Sequence, residues 1–298
     1  MLPAPSPEDD VAAFEEWRPL LFGIAYRMLG SAADAEDIVQ DACVRYLRRQ
    51  DREVASVRSY VVTIVTRLCI DHLASANVAR VSYSGPWLPE PVVFDEPSSL
   101  EQADSLSMAF LVLLEELTPP ERAAYLLHDI FGYRFDEVAD SMGRPAPTCR
   151  QLALRARKRI EDRRQRFDAD LQHGRELARR FVAACGTGDL DALLAMLAED
   201  VVVWTDGGGQ VRAAMRPVVG PHRGSRFLIN VAKKGEGRAR EMLVNGQPAF
   251  VFVDDERVVM SVLVDILGGQ IVGVRVVSNP DKLEWLTAEL ARTGGIGR

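Results

Sequence analysis

Apolar residues recur at helical spacing through roughly the first two thirds of the chain, and alternate or run together at strand lengths near its end. Phe14, Trp17, Leu21, Ile24, Ala25 and Met28 mark the inner face of one long helix, which Gly30 can end and after which Ser31 can cap the next. In that second helix Ala35, Ile38, Val39, Ala42, Tyr46 and Leu47 form the stripe. A polar loop around Gln50 to Ser56 precedes a third, whose stripe is Val57, Tyr60, Val61, Ile64, Val65, Leu68 and Cys69. Short connections of this kind close a compact bundle.

The periodicity stops from Tyr83 to Pro97, where Pro86, Pro89 and Pro91 favour stiff, extended backbone and predict a linker. Trp87 is out of place there: it can cover a neighbouring helix or anchor the segment in a pocket. Helical spacing resumes from Ser105 to Leu117. Thr118-Pro119-Pro120-Glu121 reads as a capping box opening a helix through Ala124, Leu127, His128 and Phe131, in which His128 is expected as a packed core residue. Next, Phe135, Val138, Ala139 and Met142 give one short helix closed by Gly143, and Cys149, Leu152, Ala153, Ala156 and Ile160 give the buried stripe of another. Two short helices joined by a tight turn, the second with Thr148, Gln151, Arg155 and Lys158 outward and Arg150 and Arg157 at the flanks, form a helix-turn-helix pattern. Arg side chains suit guanine edges and phosphates, and Gln suits adenine; a solvated basic helix has the same composition.

Beyond Arg163 to Arg166 the texture changes. Helical patterns at Glu176 to Cys185 and Leu190 to Leu197 precede strand-like runs at Val201 to Thr205, Pro248 to Val253, Val258 to Leu267 and Ile271 to Val277. Turn residues separate them at Gly207-Gly208-Gly209, Asn245-Gly246, Asp254-Asp255 and Gly268-Gly269. This predicts an α+β domain with a curved antiparallel sheet.

The formal net charge is −7. A chain that coats DNA unaided would be basic, so any DNA contact should be local and assisted by a larger partner. Cys43, Cys69, Cys149 and Cys185 stand singly, without metal-site spacing, and predict reduced, buried thiols with no metal and no cofactor. No signal-peptide order and no apolar run long enough for a membrane is present, so a cytoplasmic protein is expected. The glycine run at 207 to 209 lacks the Lys-Ser or Lys-Thr of a phosphate loop, and reads as a turn that lets another backbone approach.

The run Ala25-Tyr26-Arg27-Met28-Leu29-Gly30, followed by Asp34-Ala35-Glu36-Asp37-Ile38-Val39-Gln40-Asp41 and Thr66-Arg67-Leu68-Cys69-Ile70-Asp71, resembles region 2 of bacterial extracytoplasmic-function (ECF) sigma factors, and the helix-turn-helix resembles their region 4. The helix pair with the Gly-Asp-Leu-Asp step at 188 to 191 and the following strands resemble the SnoaL-like cone fold. One subgroup of these sigma factors carries such a domain after region 4. Its Trp-Leu-Pro-Glu-Pro stands here at Trp87 to Pro91 and its Asn-Pro-Asp-Lys-Leu at Asn279 to Leu283, while Asp206-Gly207-Gly208-Gly209-Gln210 has glutamine in place of the subgroup's lysine. The stretch Ala74 to Arg80 is also poorer in arginine than is usual after the third helix.

The resemblance implies region 2 at residues 1–82, a linker at 83–104, region 4 at 105–166 and a SnoaL-like domain at 167–298. It implies that Asp34, Glu36, Asp37, Gln40 and Asp41 meet the polymerase clamp, that Arg58 and Arg67 meet the minus-ten element, and that Arg150, Gln151, Arg155, Arg157 and Lys158 meet the minus-thirty-five element. Trp87, Leu88, Pro89, Asp206 to Gln210 and Asn279, Pro280, Asp281 and Lys282 become the expected regulatory contacts of a domain that acts in cis. The expected partners are RNA polymerase core and promoter DNA, with no membrane, and the cone leaves room for a small-molecule or protein effector. The rival is a cytoplasmic SnoaL-like enzyme or ligand sensor fused to a DNA-binding module. Asp200, Asp206, Asp265 and His222 are its candidate bases, but all six tyrosines precede the domain, which leaves few donors for an oxyanion. The expectation is therefore an initiation factor without catalysis of its own.

Overall fold

The computed structural model describes residues 7–49, 56–81, 83–94, 105–161, 171–235 and 237–293. The polar loop from Gln50 to Ala55, the end of the linker beyond Phe94 and the connection Arg163 to Arg166 lie outside the described residues, as do the side chains of Asn77 to Arg80. The described residues form two compact units, one drawn from Met1–Val81 and Leu113–Arg164, the other from Ser82–Val112 and Gln165–Arg298.

The first unit is helical. It contains α1 (Pro7–Glu15), α2 (Arg18–Leu29), α3 (Ala32–Leu47) and α4 (Val57–Val81), the end of α5 (Met108–Leu114), then α6 (Pro119–Tyr125), α7 (Phe135–Met142) and α8 (Ala146–Glu161). The first long helix expected from the pattern is two helices. Pro19, at the start of α2, has no N–H to give and its ring would meet the carbonyl four residues back, so the chain breaks at Glu16 and Trp17. Other ends follow the residues that predict them. Gly30 and Gly143 are left-handed caps, and the Ser31 side chain accepts from Asp34 N. Glu121 closes the capping box by accepting from Thr118 N at 3.1 Å. After α6 one π turn, Leu126–Ile130, carries the chain to Gly132. There the His128 ring stacks on Phe135 with centroids 3.9 Å apart, and its Nδ1 lies 2.8 Å from the Tyr133 carbonyl. It is packed as its neighbours imply, but half-buried and not in the core.

The second unit is α+β: α9 (Leu171–Thr187), α10 (Leu190–Met196), β1 (Leu197–Asp206), β2 (Val218–Val219), α11 (Pro221–Lys234), β3 (Arg238–Val244), β4 (Gln247–Asp254), β5 (Arg257–Leu267), β6 (Gln270–Val277) and α12 (Pro280–Arg292). The sheet order is β2-β1-β6-β5-β4-β3. It is mixed rather than wholly antiparallel. Hairpins force β3 to β6 antiparallel, whereas β1 and β6 sit at opposite ends of the domain sequence with no hairpin between them, and pair in parallel (Val203 with Val274, Asp206 with Val277). Strand alternation splits the interior in two. Val203, Val262, Val264, Val274 and Val276 face α9, α10 and α11, with Phe181, Leu193 and Leu228. Trp204, Val251, Leu263 and Val277 face the other way, and Leu88 of the linker, Met108, and Leu283, Leu286 and Leu290 of α12 cover them. Sequence neighbours of the helix-turn-helix thus seal a sheet face more than a hundred residues further on.

Candidate functional site

Four groups of residues carry the candidate function. On α3, the residues Asp37, Gln40 and Asp41 are exposed, and Val44, one turn on along the same face, is 39% exposed. Glu36 and Asp34 flank them and are engaged, Glu36 with Arg18 at 2.9 Å and Asp34 with His72 at 3.7 Å. The open part of the acidic face is therefore narrower than the five residues read from sequence.

On α8, burial of Cys149, Leu152, Ala153, Ala156 and Ile160 turns Pro147, Gln151, Leu154 and Lys158 outward, with Arg150 and Arg155 beside them. Leu154 is 62% exposed, and the helical pattern alone could have singled it out as an apolar residue off the buried stripe. Arg150 lies over the Phe135 ring, 5.5 Å from its centroid. The other two arginines are tied down: Arg155 meets Glu121 at 3.2 Å, and Arg157 meets Asp129 at 2.5 Å. For Glu121, burial works to raise the carboxyl, but bonds from the Thr118 hydroxyl and N–H and the charges of Arg159 and Arg155 hold it below its ordinary value. Arg150, Gln151 and Lys158 keep their outward position; Arg157 fastens α8 to the end of the π turn.

On α4 the outward arginines are held within the same unit. Arg67 donates to the Ser141 carbonyl at 3.0 Å and the Asp140 carbonyl at 2.9 Å, both at the end of α7. Arg58 donates to the Tyr133 hydroxyl at 3.1 Å and lies over the Trp17 and Tyr133 rings. Deeper in, the buried Arg122 of α6 donates to the Met28 carbonyl at the end of α2 and to Glu115. Of the α4 side chains named for one DNA element, Arg67 therefore bonds to the helix-turn-helix named for the other, and Arg58 to Tyr133 just before it.

The fourth group is a latch in the second unit. Asp206, fully buried at the end of β1, receives four bonds, two on each oxygen: Tyr83 hydroxyl at 2.5 Å and Gly208 N at 3.0 Å on Oδ1, Leu88 N at 2.9 Å and Lys282 Nζ at 2.7 Å on Oδ2. Lys282 also donates to the Leu88 carbonyl at 2.5 Å and lies over the Trp87 ring, 4.3 Å from its centroid. Asn279 caps α12 through Asp281 N, places Pro280 at the first turn, and donates to the Tyr83 hydroxyl at 3.0 Å. Burial, then the bond to Asp206, pushes the Tyr83 hydroxyl well above the ordinary tyrosine value. Gln210 donates to the Asp281 carboxylate at 2.6 Å, so an uncharged donor stands where the resembling subgroup has lysine.

The glycine run has separate causes at each position. A Cβ on Gly207 would strike the Val211 carbonyl and one on Gly208 the Asn279 side chain, while Gly208 and Gly209 also have φ of 59° and 76°. All the residues expected as regulatory contacts thus meet at one place, with Pro89 buried beside Leu88.

Sequence reasoning missed three parts of this unit. Asn245, at the predicted Asn-Gly turn with φ 54°, is fully buried; it accepts from Val92 N at 3.1 Å and donates to the Leu106 carbonyl at 3.0 Å, holding both ends of the linker segment. Gln247 accepts from Met108 N at 3.0 Å and donates to Asp265 at 3.1 Å. Asp265 pairs with Arg275, whose guanidinium lies 4.6 Å from the Trp204 ring centroid. Nor do all six tyrosines stand outside the C-terminal unit, because Tyr83 folds into it. Among the described residues no cluster of His, Cys, Asp or Glu could hold a metal ion, and no helix is long and apolar enough to cross a membrane.

A helical bundle with an open acidic face, joined to a helix-turn-helix with an outward Gln-Leu-Lys stripe, defines a two-part promoter-reading protein, and comparison with known proteins bears this out. Residues 13–78 match the family model for Sigma-70 region 2 and residues 107–160 that for Sigma-70, region 4. The ECF RNA polymerase sigma factor SigJ of Mycobacterium tuberculosis is 35% identical over 307 aligned positions, covering 97% of this chain and 98% of the relative. SigG of the same organism is 28% identical, covering 83% and 74%. The crystal structure of M. tuberculosis SigJ superposes with a TM-score of 0.72 at 33% identity, covering 91% of this chain and 97% of that one. The chain belongs to the ECF RNA polymerase sigma factor family. It is a transcription initiation factor whose partners are core RNA polymerase and promoter DNA.

Proposed function

We propose that this sigma factor rests in a closed form in which its region 4 holds the promoter-reading side chains of region 2, and that its C-terminal domain modulates opening in cis by gripping the linker between them. The observation that carries this reading is the pair of bonds from Arg67 to the Ser141 and Asp140 carbonyls. Phosphates are stronger acceptors for a guanidinium than backbone carbonyls, so promoter DNA competes directly for these donors. Arg58 is held in the same way by Tyr133. In the open form Arg58 and Arg67 serve the minus-ten element, while Arg150, Gln151 and Lys158 read or position the minus-thirty-five element, with Arg155 joining once released from Glu121. Leu154 suits a thymine methyl. Asp37, Gln40 and Asp41 offer the polymerase-binding face, with Asp34 and Glu36 at its margin.

A purely regulatory role for the C-terminal domain is supported by the fate of its candidate bases. Asp206 is saturated by the latch, Asp265 is engaged by Arg275 and Gln247, and Asp200 and His222 are exposed. This reading places the protein in the cytoplasm beside polymerase. Tyr83→Phe tests it: the change removes the bond to Asp206 but keeps the buried ion pair, worth about 1 kcal/mol net. Transcription from a target promoter with purified polymerase should rise several-fold as the linker loosens; output identical to the parent protein would overturn modulation in cis.

A further inference from the structure

The acidic chain contains one long stretch with no acid at all. From Gly207 to Gly235 there is no Asp or Glu, yet Arg212, Arg216, Arg223, Arg226, Lys233 and Lys234 all fall within it, in a protein with 43 acidic and 36 basic residues. Arg238 stands just beyond. Most of these cations sit on or next to α11. That helix buries Gly224, Ser225 and Leu228 against the sheet, so at about 100° per residue His222, Arg223, Arg226, Lys233 and Lys234 fan across the opposite half. All five are exposed, while Phe227 beside them is half-buried and packs against the core.

Three features separate this stripe from an ordinary solvated face. Several surface arginines elsewhere pair with acids, namely Arg18 with Glu15 and Glu36, Arg134 with Asp136, Arg179 with Glu241 and Arg292 with Glu289, while Arg58 and Arg67 meet neutral acceptors. Among the described residues, Arg223, Arg226, Lys233 and Lys234 meet no carboxylate. Second, the helix dipole favours Lys233 and Lys234 in the last turn but opposes Arg223 in the first, so the dipole does not account for the whole stripe. Third, Arg223 to Lys234 spans roughly 16 Å along the axis, about five phosphate steps of one DNA strand.

We propose that α11 is a second DNA-binding surface of this sigma factor, a phosphate-backbone contact made by the C-terminal domain without reading sequence. Point charges at both ends of one helix face, without an exposed aromatic anchor, fit a polyanion better than a protein hot spot. The formal charge of −7 repels DNA as a whole, so local cations are needed wherever the chain approaches it. The inference rests on membership of the sigma family, and not on the closed resting form.

The test is binding of the assembled holoenzyme to a promoter duplex over a range of salt, comparing the parent chain with R223Q/R226Q/K233Q/K234Q. Each lost phosphate contact should reduce the slope of log K against log salt by roughly 0.9. The quadruple variant should lose about 2 to 4 in slope and bind at least tenfold more weakly at about 0.1 M salt, with unchanged promoter preference and unchanged core assembly. R223K/R226K should retain the parent slope, because a point charge suffices. An unchanged slope would overturn the proposal. So would weaker core assembly at a constant DNA slope, which would assign the stripe to the polymerase surface. Arg67→Ala, measured in parallel, reports on the closed form separately.

Discussion

The latch of the C-terminal unit and the clamp of the helical unit hold their partners by opposite means. In the latch a buried carboxylate meets a buried ammonium, two amides and a phenol, and every acceptor site of Asp206 is filled. In the clamp the exposed Arg58 and Arg67 donate, among the described residues, to a phenol and two backbone carbonyls, which carry no charge. A buried pair is costly to break because each ion is left without water or partner. An exposed guanidinium on neutral acceptors can exchange them for phosphate at little loss. On the proposed reading the first persists and the second is traded.

The largest effect should come from breaking the persistent side. Asp206→Ala leaves Lys282 buried without its counter-ion and should destabilise the C-terminal unit by about 3 to 5 kcal/mol in urea denaturation. Adding Lys282→Met should recover part of that, and a double variant as unstable as the sum of two singles would show that the pair acts separately. On the exchangeable side Arg67→Ala should cost about 1 kcal/mol of stability or less, while weakening promoter binding by about 1 to 3 kcal/mol. Equal losses in both measurements would erase the distinction.

Within the recognition helix the expected effects are smaller and differ in kind. Gln151→Ala should relax one promoter position, and Lys158→Ala should weaken all promoters alike, each by about 1 to 3 kcal/mol at most. Arg155→Ala removes a surface ion pair with Glu121 and should change stability by under about 1 kcal/mol. Smallest are the pH effects. Tyr83 has a raised value, so its contribution is complete below the ordinary tyrosine value of about 10 and fades as pH rises toward the folded value. Glu121 has a lowered value, so its contribution to the cap of α6 is complete above about 4.3 and fades as pH falls. Linker fluorescence from Trp87 across alkaline pH, and helicity across acid pH, would follow the two transitions.

How much of this was legible depended on range. Helix stripes and caps are local, so α3, α8, Ser31, Gly143 and the capping box at Thr118 are read directly; the pattern misses Pro19, which splits the first helix, and predicts none of α11, α12, β2 and β3. The latch residues were found through motif resemblance, but their bonds were not, because Leu88 and Lys282 are 194 residues apart and nothing local couples them. Asn245 was read as a turn from its Asn-Gly pair, and the turn is there, yet its side chain grips a linker that no periodicity could place beside it. The parallel β1–β6 pair escaped for the same reason, since turn chemistry predicts hairpins and is silent about crossovers. The Arg155 and Arg157 ion pairs reach acids on α6 and in the π turn, beyond what one helix's charge pattern reveals.

The most direct test of the persistent-latch, exchangeable-clamp account is amide hydrogen exchange on the free protein and on the holoenzyme bound to promoter. The peptide amides of Leu88 and Val92, bonded to Asp206 and Asn245, should stay protected in both states. Protection around Asp140 to Gly143 should change when DNA takes the Arg67 donors. Loss of protection at Leu88 with no change at the end of α7 would contradict it.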